Sequence, residues 1–272
     1  MQAALRLHGT EAAMKTIIQN ISKHITLETG EMKQSVTKEI SRKLQDKDFT
    51  FLSGRDMCSL LLQETPDLDK AWDLFQDSWN RLKRDTFMAD GGRYRLRRHA
   101  VYRKAAYDSV ISPIAYRPHY QSLDHNGLNG GVARYFSPIE SATCSNRVLR
   151  EILSMCREVF CHLAPECDWD IEVHQFRIVT CGAAASPTPE GVHRDGVDFV
   201  FMMMVNRQQV RGGATFLYDQ SGALLHQHTL SDAMESAFIN DNHTFHGVSP
   251  ITPVTPDSYG YRDMLVITFR KA

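Results

Sequence analysis

The sequence predicts a mainly β fold, a barrel or jelly roll with flanking helices, and two observations carry that expectation. From residue 171 onward, short apolar or alternating runs recur at 171–179, 197–205, 214–218, 223–230, 237–239, 245–248 and 264–269, with turn residues such as Asp219-Gln220-Ser221-Gly222 between them. Short strands at regular intervals, punctuated by turn signals, are the pattern of closed or doubled antiparallel sheets. Ahead of them the apolar residues return every three or four positions, the period of a helix with one buried face.

Taken in order, residues 1–48 form an N-terminal helical extension and residues 49–272 the main domain. Residues 11–44 are polar and helix-permissive, with Ile17, Ile18, Ile21 and Ile25 on helical spacing. A second helix is expected over 54–63, where Met57, Leu60 and Leu61 recur, and a third over 67–84, carrying Leu68, Trp72, Phe75, Trp79 and Leu82. That aromatic stripe reads as core packing. Asp90-Gly91-Gly92 is a strong turn. After it, Arg93-Tyr94-Arg95-Leu96-Arg97-Arg98 places basic residues at alternate positions, as a strand with two different faces does. Turned outward, the basic face is a solvated edge; turned into a pocket, it binds carboxylates. A helix over 146–162, with Leu149, Ile152, Leu153, Cys156 and Phe160, is expected to back onto the sheet.

Composition narrows the function classes. With 42% hydrophobic and 23% charged residues among 272, the chain has the make-up of a globular protein able to bury a substantial core. A formal charge of −1 supplies no global attraction to nucleic acid or anionic membrane, so neither is expected as a partner. No run approaches the roughly eighteen apolar residues of a membrane span. The six cysteines contain no Cys-x-x-Cys pair, which argues against a zinc knuckle or disulfide framework and for reduced thiols in the cytoplasm.

The chemistry is concentrated in His193-Arg194-Asp195, just ahead of the run 197–205, and in His246 far downstream. In an extended chain residues i and i+2 project to the same side, so His193 and Asp195 can reach one metal while Arg194 turns away. A third ligand from a distant strand completes a two-histidine, one-carboxylate face that leaves half of an octahedral iron(II) open for a co-substrate and dioxygen. His243 competes with His246 for the third place, but three residues earlier on a strand it faces the other way. His226 and His228 form another His-x-His pair, read as the solvated face of a hairpin. Arg262, expected to open the last apolar strand, is placed to grip a carboxylate in two-point fashion, with Arg270 at the other end as its competitor. The pairs Gly130-Gly131 and Gly212-Gly213 lack the lysine of a phosphate-binding loop and read as turns or close backbone approaches.

Several segments together carry a resemblance. They are Asp85-Thr86-Phe87-Met88-Ala89-Asp90-Gly91-Gly92-Arg93-Tyr94-Arg95-Leu96-Arg97-Arg98, Asn129-Gly130-Gly131-Val132-Ala133-Arg134, Glu190-Gly191-Val192-His193-Arg194-Asp195-Gly196, Arg211-Gly212-Gly213-Ala214-Thr215, His246-Gly247-Val248-Ser249-Pro250-Ile251 and Arg262-Asp263-Met264-Leu265-Val266-Ile267-Thr268-Phe269. Over residues 51–270 the chain resembles the iron(II)/2-oxoglutarate dioxygenase family that includes the bacterial L-isoleucine 4-hydroxylases. The resemblance implies a double-stranded β-helix (jelly roll, cupin-like), iron(II) at the positions matching His193, Asp195 and His246, and splitting of 2-oxoglutarate to succinate and carbon dioxide with consumption of dioxygen. It implies a free aliphatic L-amino acid as substrate, with hydroxylation of the side chain and, for methionine, sulfoxidation. Arg262 then holds the distal carboxylate of 2-oxoglutarate, although residues 253–261 lengthen the usual histidine-to-arginine spacing and keep Arg270 as the alternative. Arg95 and Arg97 are the candidates for the substrate carboxylate. Two other readings stay open on the residues alone: an oxygenase of this fold acting on a nucleic acid or on a protein- or carrier-bound group along residues 93–104, and a non-catalytic cupin-like metal-binding protein.

Overall fold

The computed structural model describes residues 29–64 and 67–272. The isoleucine-bearing segment expected to be helical, Ile17 to Ile25, lies outside the described residues. The elements run α1 (Thr29–Lys47), β1 (Phe49–Leu52), α2 (Gly54–Glu64), α3 (Leu68–Asp77), β2 (Lys83–Arg84), β3 (Arg95–Lys104), β4 (Ser112–Pro113), α4 (Ser141–Cys144) and α5 (Arg147–Leu163). Then follow β5 (Trp169–Cys181), β6 (Phe199–Gln208), β7 (Val210–Gly212), β8 (Thr215–Tyr218), β9 (Leu224–His228), β10 (Ser236–Asn240), β11 (Phe245–Val248), β12 (Ile251–Pro253) and β13 (Tyr259–Lys271).

Local chemistry explains the boundaries. Asn146 starts α5: its side chain accepts the Val148 N–H at 2.8 Å and satisfies a donor that the first turn leaves free. The single helix expected over 67–84 is instead α3 followed by a tighter turn, Ser78–Arg81. There the Ser78 hydroxyl donates back to the Phe75 carbonyl at 2.6 Å, and the Trp79 indole N–H reaches the Phe176 carbonyl at 3.0 Å. That bond satisfies a buried indole donor and ties the turn to β5.

One large antiparallel sheet, ordered β1-β10-β6-β13-β5-β3-β2 with β4 paired to β3, faces two small ones, β11-β8-β9 and β12-β7. Period-2 alternation on its strands separates two interiors. Phe199, Phe201, Met203 and Val205 of β6 and Leu265, Ile267 and Phe269 of β13 pack against Leu149, Ile152, Val159 and Phe160 of α5. Phe160 stacks on Phe199 with centroids 4.7 Å apart. The intervening residues Val200, Met202, Met204 and Met264 turn the other way and pack on Leu217 of β8, between the large and small sheets.

Two expectations need correction. The last strand begins at Tyr259, three residues before Arg262, because β5 is long enough to pair with all of it: Tyr259 lies opposite Cys181 and Tyr261 opposite Val179. His226 and His228 are not a solvated face. His226 stacks on Phe49 at 5.3 Å, and His228 has a carboxylate partner in Glu235.

Phe201 is fully buried and packs edge-on against Phe238 with centroids 5.0 Å apart. Phe201→Ala is expected to lower stability in chemical denaturation by about 3–5 kcal/mol. A loss below about 1 kcal/mol would mean that the helix-facing interior collapses around the deletion, contrary to its packing.

Candidate active site

The loop 191–196 and strand β11 meet through two backbone hydrogen bonds, His193 N–H to His246 O at 2.9 Å and His246 N–H to His193 O at 2.8 Å. This isolated bridge brings the two imidazoles to a centroid separation of 4.5 Å. His193 Nε2 lies 3.5 Å from Asp195 Oδ1, and His246 Nε2 lies 3.7 Å from Asp195 Oδ2. One ligand atom from each of the three residues falls within 4.8 Å of the others. His193 Nδ1 is 3.1 Å from the Gly191 carbonyl. A carbonyl only accepts, so Nδ1 carries a proton and Nε2 is the ring atom turned to the cluster. Burial disfavours charge on His193, but Asp195 and Glu190 overcome it and raise its pKa to about 9. For His246, burial and the neighbouring His193 lower the pKa to about 4.

Asp195 is positioned by residues that sequence reasoning missed. The Asp241 carboxylate, just beyond β10, accepts the backbone N–H groups of Asp195, Gly196 and Val197 at 3.0, 2.8 and 3.1 Å. The Gln121 amide donates to Asp195 O and Oδ1, each at 3.2 Å, and Gln121 Oε1 accepts from Arg134 at 2.7 Å. Gly196 closes this loop at φ +76°, where a Cβ would also lie 2.4 Å from the His125 ring. No sequence signal marks Asp241 or Gln121, because each acts across 46 or 74 positions.

The triad opens on a cavity of about 150 Å³ walled by the inner faces of β3, β5 and β13. Strand register sets the wall in rows: Arg262 beside Ile178 beside Arg95, Met264 beside Phe176 beside Arg97, Val266 beside His174 beside His99. Arg262 is 4% exposed, and among the described residues it has no ion-pair partner; its Nε is buried without a hydrogen bond. Burial and the adjacent Arg207 lower its pKa to about 9, which still leaves it charged at neutral pH. Arg270 lies at the opposite end of the wall, half exposed and 3.5 Å from Asp170. Arg95 and Arg97 share one buried carboxylate, Asp85, at 2.8 and 3.7 Å. Arg97 also lies over Phe136, its guanidinium 3.6 Å from the ring centroid. His243 sits in the turn before β11, is exposed, and bonds Asp48 at 2.8 Å, outside the cluster. Gly212 and Gly213 both take positive φ; a Cβ on Gly212 would overlap the Pro250 carbonyl, and one on Gly213 would press on Arg207 and Arg262.

A model of the 2OG-Fe dioxygenase family matches residues 76–268. The chain belongs to this family. A solved bsmA homologue from Methylobium petroleophilum PM1 is 32% identical, with 87% of this chain and 93% of that one covered and a TM-score of 0.78. IDO from Bacillus thuringiensis (20% identity, 87% and 99% covered, TM-score 0.72) and the Fe(II)/α-ketoglutarate-dependent dioxygenase TqaL (18%, 89% and 88%, 0.72) share the fold. No match was found among the curated proteins compared. The jelly-roll core expected from the strand spacing is thus present, and this dioxygenase uses iron(II), 2-oxoglutarate and dioxygen. Two imidazoles and one carboxylate on a cavity wall are a donor set that suits iron(II). His246 turns Nε2 to Asp195 and Nδ1 toward the Asp241 carboxylate, each at 3.7 Å, so one ring nitrogen faces the cluster and the other faces an acceptor, the orientation of a ligating imidazole.

Asp241→Ala is expected to weaken iron(II) binding about 10–100-fold in anaerobic titration, with the circular dichroism spectrum retained. Unchanged affinity would show that the loop holds Asp195 without it.

Proposed function

We propose that this dioxygenase hydroxylates the side chain of a free aliphatic L-amino acid, isoleucine-like, and sulfoxidises methionine where it is accepted, while 2-oxoglutarate becomes succinate and carbon dioxide. The observation that carries the reading is a small cavity with fixed charges on its wall and apolar residues between them. Among the described residues Arg262 has no anion partner, Arg95 and Arg97 share one carboxylate, and Met202, Met264, Val266 and Val248 supply the apolar surface. Such a site suits small zwitterions and dicarboxylates. The segment likeness to isoleucine hydroxylases supports the substrate class.

In this reading His193, Asp195 and His246 hold the metal, and bound iron(II) supplies the oxidising chemistry with dioxygen and 2-oxoglutarate. Arg262 takes the distal carboxylate of 2-oxoglutarate in a paired, charge-assisted contact that burial strengthens. Its position at one end of the cavity, with Arg270 tied to Asp170 at the other, favours it over Arg270. One carboxylate, Asp85, against the two guanidiniums of Arg95 and Arg97 leaves a net positive wall for the substrate carboxylate. The apolar residues position the side chain and keep water from it. The same reading places the enzyme in the cytoplasm, where its free thiols stay reduced.

His246→Ala is expected to abolish iron-dependent turnover while His243→Ala keeps most of it; the reverse result would move the third ligand. Arg262→Ala should raise the KM for 2-oxoglutarate far more than that for the amino acid, and the assignment fails if Arg270→Ala does this instead. An apolar pocket separates substrates differing by one methylene by only about 1–3 kcal/mol. Isoleucine, leucine, methionine and valine should therefore all gain one oxygen atom, at graded rates, in mass spectrometry of a free amino-acid panel. Product from a peptide or carrier-bound amino acid but from no free one would refute the substrate class and leave the dioxygenase chemistry intact.

A further inference from the structure

The cavity wall carries a second cluster of titratable groups that neither the triad nor Arg262 uses. Glu172 of β5 is ringed by His99 of β3, His174 of β5 and His119 from the segment after β4. His99 Nε2 lies 3.2 Å from Glu172 Oε2, His119 Nδ1 bonds the same oxygen, and His174 Nε2 faces it at 3.4 Å. All three converge on one carboxylate oxygen. The other, Oε1, has no hydrogen-bond partner among the described residues, and no lysine or arginine pairs with Glu172 there.

Four potential ligand atoms within 4.8 Å of one another invite a metal, and two geometric features argue against one. Arg97 Nη2 lies 2.8 Å from His174 Nδ1. A guanidinium only donates, so Nδ1 is the acceptor and the ring's single proton sits on Nε2, the atom that faces Glu172. That nitrogen has no lone pair to give a cation. The His99 and His174 rings also stack, with planes 16° apart and centroids 4.7 Å apart. A cation in the plane of one ring lies far outside the plane of the other, where imidazole has no lone pair. The arrangement is a cage of N–H donors around an anion. Burial opposes charge on Glu172, but hydrogen bonds from the three imidazoles outweigh it and hold its pKa well below the usual range.

A carboxylate kept ionised on a cavity wall, with a free oxygen and no lysine or arginine in ion-pair contact among the described residues, is matched to a small cationic group. We propose that Glu172 Oε1 binds the α-ammonium of the amino-acid substrate, a role resting on the free amino-acid reading above. The ammonium offers three N–H donors and makes a charge-assisted hydrogen bond of the strong class. Glu190 is the rival carboxylate, since its Oε2 is buried without a partner. Its Oε1, however, lies 3.7 Å from His193 Nε2, so an ammonium held there would crowd the cationic metal face. On the Glu172 side the register sets Val266 and Thr268 of β13 beside His174 and Glu172, a wall for the rest of the molecule. The consequence is selectivity: acylating the amine removes the charge that Glu172 reads, so the enzyme acts on free amino acids in preference to N-acylated ones.

The test is anaerobic calorimetry of the enzyme loaded with iron(II) and 2-oxoglutarate, using L-isoleucine, N-acetyl-L-isoleucine and 3-methylpentanoate, the last being isoleucine without its amino group. The native enzyme is expected to prefer L-isoleucine over both by about 10–150-fold, the range for a hydrogen bond between charged groups. Glu172→Gln should lose that preference while binding iron(II) and 2-oxoglutarate as before, and Glu190→Gln should keep it. If the glutamine variant does not fold, Glu172→Asp, which retains the charge but shortens its reach, should show a reduced preference. Equal binding of the three probes by the native enzyme, or loss of preference in Glu190→Gln alone, overturns the proposal. So does a second equivalent of iron or zinc that disappears with Glu172→Gln. If the native enzyme binds no free amino acid from the panel, the substrate class fails and takes the proposal with it; if it binds them and the glutamine variant keeps the preference, only the role of Glu172 fails.

Discussion

Two backbone hydrogen bonds between His193 and His246, each under 3.0 Å, join the loop before β6 to strand β11, and the geometry of the site depends on them. They bring side chains from two distant segments onto one side of a cavity. A bridge made by backbone atoms leaves both imidazoles free for ligation, and the Gly191 carbonyl and Asp241 then orient what the bridge has gathered. Precision at a metal face comes from this kind of support, because a ligand misplaced by an ångström costs much of the function.

The second constraint is charge on the inner face of a sheet. Buried ionised groups are costly unless paired, and most here are paired: Arg95 and Arg97 with Asp85, Arg177 with Asp263, Glu172 with its imidazole cage. Arg262 stands out because among the described residues it has neither a carboxylate nor a side-chain hydrogen bond, whereas Arg134, also buried without a carboxylate, donates to Gln121 at 2.7 Å. An unpaired buried guanidinium destabilises a protein that has no use for it, which is the physical reason to assign it a ligand's carboxylate. Strand register then fixes the distribution of polarity. Inner-face positions on β13 run from Arg262 through Met264 and Val266 to Thr268 and Arg270, so this strand places charge at its two ends and apolar surface near its middle.

Much of this was legible in the chain. Short alternating runs marked the strands, apolar spacing marked α2 and α5, and the i, i+2 rule put His193 and Asp195 on one side. His243 and His246 separated for a different reason than expected. His243 lies in a turn and bonds Asp48, rather than on the opposite face of the same strand. The cage around Glu172 was not legible, since it depends on the register that sets His99 beside His174 and on a loop that returns His119. Nor was the break after α3, where the tighter turn is tied to β5 by the hydrogen bond from Trp79 to the Phe176 carbonyl, 97 positions away. Period and composition report which face of an element is buried; they do not report which residue of another element lies opposite it.

The central claim is that one cavity joins the iron face, the carboxylate end at Arg262 and a free amino acid in a single oxidation. Turnover of L-isoleucine under isotopically labelled dioxygen tests it most directly. The account predicts one labelled oxygen in succinate and one in the amino-acid product, in equal amounts. Labelled succinate released without any oxygenated amino acid, for every free amino acid offered, would contradict it.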